Sequence, residues 1–146
     1  MLKTLRFGTR AFGQNLNIAK RNFCTRYTND HEWVTSLGSQ NYRLGITDFA
    51  QKQLGDIVFV EIPQIGATLS QGQPITVVES VKAASDIYIP MDGSITTVNQ
   101  ELESSPELVN EEPMGDGWIV EYKSSKTDQF QSLMNKAQYD EYIKEH

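Results

Sequence analysis

Cysteine and histidine are scarce in this sequence, with one cysteine, Cys24, and two histidines, His31 and His146. A single cysteine excludes an intramolecular disulfide framework and any zinc cluster built from cysteines. Two histidines leave a histidine-built metal or catalytic centre poorly supplied, and no metal is expected. No apolar run approaches the roughly 20 residues that span a bilayer. There is no G-x-G-x-x-G, no P-loop and no G-x-S-x-G, so the usual nucleotide and nucleophile signatures are missing. G-D-G at 115–117 reads as a tight turn before Trp118. His31, next to Glu32, is a candidate base, but an isolated histidine beside a tryptophan is more often packed or capping. Together these absences point away from catalysis by this chain alone.

Acidic residues are absent from positions 1–26, which carry Lys3, Arg6, Arg10, Lys20, Arg21 and Arg26. The remaining residues hold seven basic and 19 acidic side chains, so the overall charge of −6 hides a strong asymmetry. A basic, acid-free start with scattered Leu, Phe and Ile has the composition of a mitochondrial transit peptide. R-N-F-C at 21–24 resembles a matrix-peptidase site with a cut after Phe23. The alternative, a basic arm for nucleic acid, is opposed by the acidity of the rest of the chain. The expectation is a transit peptide over 1–26, a matrix location, and one domain over 27–146.

That domain is long enough to bury a core without staples. Short β-type runs at 31–34, 42–46, 57–62, 75–80, 86–89, 94–98 and 118–122 are separated by turns rich in glycine or proline. Thr47 is placed to cap a short helix that Gly55 ends. Ser105-Pro106-Glu107 reads as a cap, a first-position proline and a favourable charge for one helical turn. Phe130, Leu133, Met134 and Ala137 follow the stripe of an amphipathic helix, with Asn135 and Gln138 able to start a second helix. This pattern predicts a mainly β protein, a small sandwich or flattened barrel with short added helices and a helical C-terminus.

Within V-V-E-S-V-K-A-A-S-D (77–86), Lys82 stands between two strand-like runs with no turn glycine. Pairing of those runs as a hairpin places Val81 to Ser85 at the tip and turns Lys82 outward. A surface lysine is usually only solvated. A lysine on a rigid tip, unshielded by Ala83 and Ala84, is also what an acylating enzyme needs in order to select it, and acylation would remove its charge.

E-S-V-K-A-A-S-D resembles the lipoylation motif of the glycine cleavage system H-protein family. H-E-W-V (31–34), G-I-T-D-F-A (45–50), L-G-D-I-V-F-V-E-I-P (54–63), S-P-E-L-V-N (105–110) and G-D-G-W (115–118) resemble that family's other blocks, in order. A 2-oxoacid dehydrogenase carrier would usually show D-K-A at the tip, and a biotin carrier M-K-M. The resemblance implies a lipoyl-domain-like barrel-sandwich hybrid with lipoic acid joined covalently to Lys82, in a motif context of Glu79, Ser80, Val81, Ala83 and Asp86. It implies four partners: the decarboxylating P-protein, the aminomethyltransferase T-protein, the dihydrolipoamide dehydrogenase L-protein and a lipoylating enzyme. Matching positions suggest Glu32 and Asp86 as carboxylates beside the loaded arm, with Gln53 in the cleft wall where some relatives have histidine. Two other readings remain: an H-like protein that mainly relays lipoyl groups to other matrix complexes, and a non-lipoylated β-domain serving as an interaction module.

Overall fold

A computed structural model describes residues 25–145. The expected transit peptide therefore lies outside the described residues, except for Thr25 and Arg26. These two belong to strand β1 (Thr25–Tyr27).

Strands β1, β2 (Glu32–Gly38), β3 (Asn41–Ile46), β5 (Thr68–Leu69), β8 (Gly93–Val98) and β9 (Val120–Lys123) form a sheet in the order β1-β2-β3-β9-β8-β5. A second sheet has the order β4-β6-β7, from β4 (Ile57–Val60), β6 (Pro74–Ser80) and β7 (Ala84–Tyr88). All named strand pairs are antiparallel. The expected mainly β, lipoyl-domain-like architecture is present as these two sheets, and they do not close into one barrel.

The alternation of apolar residues explains why these segments pair as they do. Leu44 and Ile46 of β3, Val60 of β4, Val78 of β6, Ile87 of β7 and Val120 of β9 turn inward to one core. A second, smaller cluster joins Tyr27, Trp33 and Tyr139. Gly45 has no room for a side chain, because a Cβ there would lie 2.7 Å from the Trp33 ring.

The first hairpin turns at Ser39-Gln40, since Gly38 pairs with Asn41. Both turn residues have positive φ, 55° and 68°, which suits the right-handed twist of the flanking strands. The strands thus run further than the expected 31–34 and 42–46.

Helix α1 (Asp48–Leu54) begins and ends as the sequence predicts. The Thr47 hydroxyl accepts from the Ala50 amide, and Gly55 stops the helix at a φ of 84°. Helix α2 (Glu101–Ser104) has no counterpart in the sequence-based expectation. Ser105 closes α2 instead of starting the next turn, so α3 (Leu108–Glu111) begins three residues later than its expected cap.

The C-terminal stripe also divides differently. Phe130 lies on α4 (Thr127–Gln131), whereas Met134 bridges to Tyr27 in an extended conformation. The Asn135 side chain accepts from the Gln138 amide and the Gln138 side chain accepts from the Asn135 amide, which starts α5 (Lys136–Lys144) as predicted. A 3.6-residue spacing thus runs through a helix break, because the capping box and the β-bridge both require extended backbone near residue 134. Tyr139 ties α5 to the rest of the fold through its hydroxyl, 2.7 Å from Thr47 Oγ1 and 2.9 Å from His31 Nδ1. His31 therefore has a packing and hydrogen-bonding role, beside Phe49 at a ring separation of 4.5 Å.

Candidate functional site

The β6–β7 hairpin holds Lys82 at its tip, as predicted, but the tip is tighter. Glu79 pairs with Ala84 and Val78 with Ser85, and only Val81, Lys82 and Ala83 lie between the two strands. The expected Val81–Ser85 loop loses Ala84 and Ser85 to β7. A serine takes the place of the missing glycine. The Ser80 hydroxyl accepts from the Lys82 and Ala83 amides, each at 3.1 Å, while the Ser80 amide donates to the Ala83 carbonyl at 2.8 Å. Such local side-chain to backbone bonds close a turn without requiring left-handed backbone.

The tip is also fixed from outside the hairpin. The Val81 amide donates to the Asp56 carbonyl at 3.0 Å, which joins the tip to the α1–β4 connection. The Lys82 side chain runs past Gly55. A Cβ on Gly55 would sit 3.1 Å from Lys82 Cε, so glycine at this position gives the stem its space as well as allowing the positive φ. Lys82 itself is exposed, and no ion pair holds it among the described residues. The amine is left free to react.

Around the tip the surface is apolar and acidic. Val81 is 68% exposed, and a bulge between Ile57 and Phe59 leaves both Val58 and Phe59 facing out. Phe59, Glu79 and Ala84 follow one another across the outer face of the small sheet, where Asp86 is also exposed.

Of the arm-cleft candidates, Glu32 lies deepest. This residue is 2% exposed, and its carboxylate is already engaged: Thr28 Oγ1 donates to Oε1 and the Tyr88 amide to Oε2, both at 2.9 Å. Glu32 thus bridges β2 to β7 from inside. Asp86 lies outside and lines a hollow of about 290 Å³, with Glu61 and Thr76 among its walls. Gln53 is exposed on α1, two residues before Gly55, and lines none of the described cavities.

Three comparisons place this architecture among known proteins. The family model for the glycine cleavage H-protein matches residues 25–146. The chain belongs to the glycine cleavage H-protein family. It is 49% identical over 120 residues to the glycine cleavage system H protein of Pseudoalteromonas atlantica, covering 82% of this chain and 93% of that relative. The corresponding protein of Bacillus licheniformis is 46% identical, with 82% of this chain and 94% of the relative covered. Among solved structures, the H protein of Mycobacterium marinum superposes with a TM-score of 0.72 at 32% identity, over 84% of this chain and 96% of the other. Membership in this family accounts for a fold that presents a lysine without a catalytic set.

Asn110, the last residue of S-P-E-L-V-N, is not a candidate on sequence grounds, yet its side chain contacts the segment beneath the Lys82 tip. An amide-bearing residue on an otherwise apolar and acidic helical turn is the available signal.

The buried Glu32 makes the fold sensitive to pH. Burial pushes its carboxyl up to about 7, against the opposing bonds from the Tyr88 amide and the Thr28 hydroxyl. The folded protein then holds a proton that the unfolded chain has released, between its ordinary value of 4.5 and about 7. The corresponding stability is fully present below that window and is lost as pH rises through about 7. A tenfold change in proton affinity is worth about 1.4 kcal/mol, so the loss is of the order of a few kcal/mol. Glu32→Gln keeps an acceptor for Tyr88 and removes the titration. Urea unfolding from pH 4 to pH 8 should show wild-type stability falling relative to this variant, whereas parallel curves would contradict the raised carboxyl.

Proposed function

We propose that this chain is the lipoyl carrier of the glycine cleavage system, with the lipoyl group in amide linkage to Lys82. The observation that carries this reading is the exposed, unpaired Lys82 amine on a hairpin tip closed by Ser80, within a chain of the H-protein family. The residues present fit the group. An amine at a protruding tip can enter another enzyme's active site, and the Gly55 surface leaves the aliphatic stem unobstructed.

Attachment requires the neutral Lys82 amine to attack an activated lipoyl carboxyl. A carbon–nitrogen bond forms, the activating group departs, and the nitrogen loses its proton to solvent. Bound to Lys82, the lipoyl group would supply disulfide–dithiol chemistry: the disulfide to take up an aminomethyl group with the P-protein, the loaded sulfur to give its one-carbon unit up with the T-protein, and the resulting dithiol to be oxidised by the L-protein. The chain itself tethers and presents, which fits a carrier component that is not itself a catalyst. One tether serving several enzymes keeps the reacting group at high effective concentration near each of them. The apolar and acidic surroundings of the tip, Val58, Phe59, Glu79 and Asp86, match partners that admit an apolar arm through a basic entrance.

We further read residues 1–26 as a mitochondrial transit peptide and the matrix as the working compartment. Support comes from the charge pattern and from the family match, which starts at residue 25 and leaves the basic, acid-free segment almost wholly outside the domain. Terminal sequencing of the protein from mitochondria should find a mature start between Cys24 and Tyr27; recovery of the intact Met1 terminus would overturn this assignment.

Lys82→Arg tests the attachment reading. It preserves charge and tip but offers no nucleophilic amine at neutral pH. Stability should change by less than about 0.5 kcal/mol, as at other exposed sites. The wild type should gain about 188 Da on lipoylation, the mass of lipoic acid less water, and support glycine decarboxylation with the P-protein. The arginine variant should do neither. An arginine variant that still gained the mass and activity would place the lipoyl group elsewhere.

A further inference from the structure

We infer that Asn110 is a positioning residue for Lys82, acting through the Gly55–Ile57 segment. This deepens the carrier reading above and rests on Lys82 being the modified residue. The side-chain amide of Asn110 on α3 makes three hydrogen bonds into one short stretch. Its Oδ1 accepts from the Ile57 amide at 2.8 Å, and its Nδ2 donates to the Gly55 carbonyl at 2.9 Å and to Gln51 Oε1 at 2.8 Å. The acceptor and both donor positions of the carboxamide are used, so this orientation is well specified.

The clamped stretch is the seat of the tip. Asp56, held on both sides by Asn110, gives its carbonyl to the Val81 amide at 3.0 Å. Gly55, whose carbonyl Asn110 holds, is the surface past which the Lys82 stem runs. Ser80 sets the shape of the turn from within the hairpin, whereas Asn110 sets where that turn stands relative to α1 and β4. Neither Gly55 nor Asp56 lies in a helix or strand, and besides the Asn110 clamp this backbone has the Gly55 amide bond to the Gln51 carbonyl and the Val81 bond to Asp56.

Placement matters here because the lysine must enter a modifying enzyme at a defined angle and depth. A misplacement of about 1 Å can cost a factor of about 100 in rate. Among the described residues the Asn110 side chain bonds to Gln51, Gly55 and Ile57, not to Lys82, so the effect runs through the Gly55–Ile57 backbone.

The test compares Asn110→Ala with Asn99→Ala in the full chain. Asn99 is buried and donates to the Asp116 and Trp118 carbonyls, so its loss is a matched perturbation that does not touch the Gly55–Ile57 segment. Two readouts are taken at a temperature where circular dichroism shows every variant folded. One is amide hydrogen exchange at Val81, and the other is the kcat/KM for lipoylation by lipoate–protein ligase with lipoate and ATP. Asn110→Ala should speed Val81 exchange and lower kcat/KM by about tenfold, while Asn99→Ala leaves both within about twofold of wild type. Asn110→Asp, which keeps the acceptor for Ile57 but loses both donors, should fall between and carries the test should the alanine variant not fold. Unchanged Val81 exchange in the Asn110 variants, or an equal fall in lipoylation for Asn99→Ala, would overturn the inference. A wild type that takes no lipoyl group would instead refute the carrier reading, and Val81 exchange would still decide whether Asn110 holds the tip.

Discussion

The hydrogen bonds that close the β6–β7 tip are the constraint on which the presentation of Lys82 depends. The three-residue connection contains no glycine, and the Ser80 hydroxyl fixes it by accepting from the Lys82 and Ala83 amides. The Asp56 carbonyl then anchors Val81 from the neighbouring segment. With the turn shape and its position both set, the hairpin can project a flexible lysine from a rigid base. Two packed sheets supply that base, and their shared core is what keeps β6 and β7 in register.

This arrangement separates stability from chemistry. The apolar interior, the Tyr139 link between α5 and the Thr47 cap, and the buried Glu32 bridge hold the fold. None of them reaches the Lys82 amine. Among the described residues Lys82 has no ion pair, and its side chain is exposed, so modification there leaves the core contacts in place. A carrier must survive loading, transfer and reoxidation on different enzymes, and a tip decoupled from the core meets that demand.

Much of this is legible in the sequence because local chemistry marks it. Thr47 and Gly55 delimit α1, Asn135 and Gln138 form the capping box of α5, and the strand–Lys82–strand pattern announces the hairpin. What the sequence hides depends on distant partners. The helical spacing from Phe130 to Ala137 is broken by a bridge to Tyr27, more than a hundred residues away. Glu32 has the look of a surface carboxylate until Thr28 and the Tyr88 amide enclose it. Asn110 lies 53 residues from the amide it accepts, a separation that no local pattern encodes. Side chains that satisfy backbone groups across the fold are the least visible part of a site in sequence.

The central claim is that the fold selects one lysine for acylation by presenting it on a fixed, unpaired tip. Tandem mass spectrometry of tryptic and Glu-C peptides, after incubation of the folded protein with lipoate, ATP and lipoate–protein ligase, measures this directly. The account predicts a lipoyl amide on Lys82 and none on Lys52, Lys123, Lys126, Lys136 or Lys144. Lipoylation spread over those lysines, or concentrated on one of them, would contradict it.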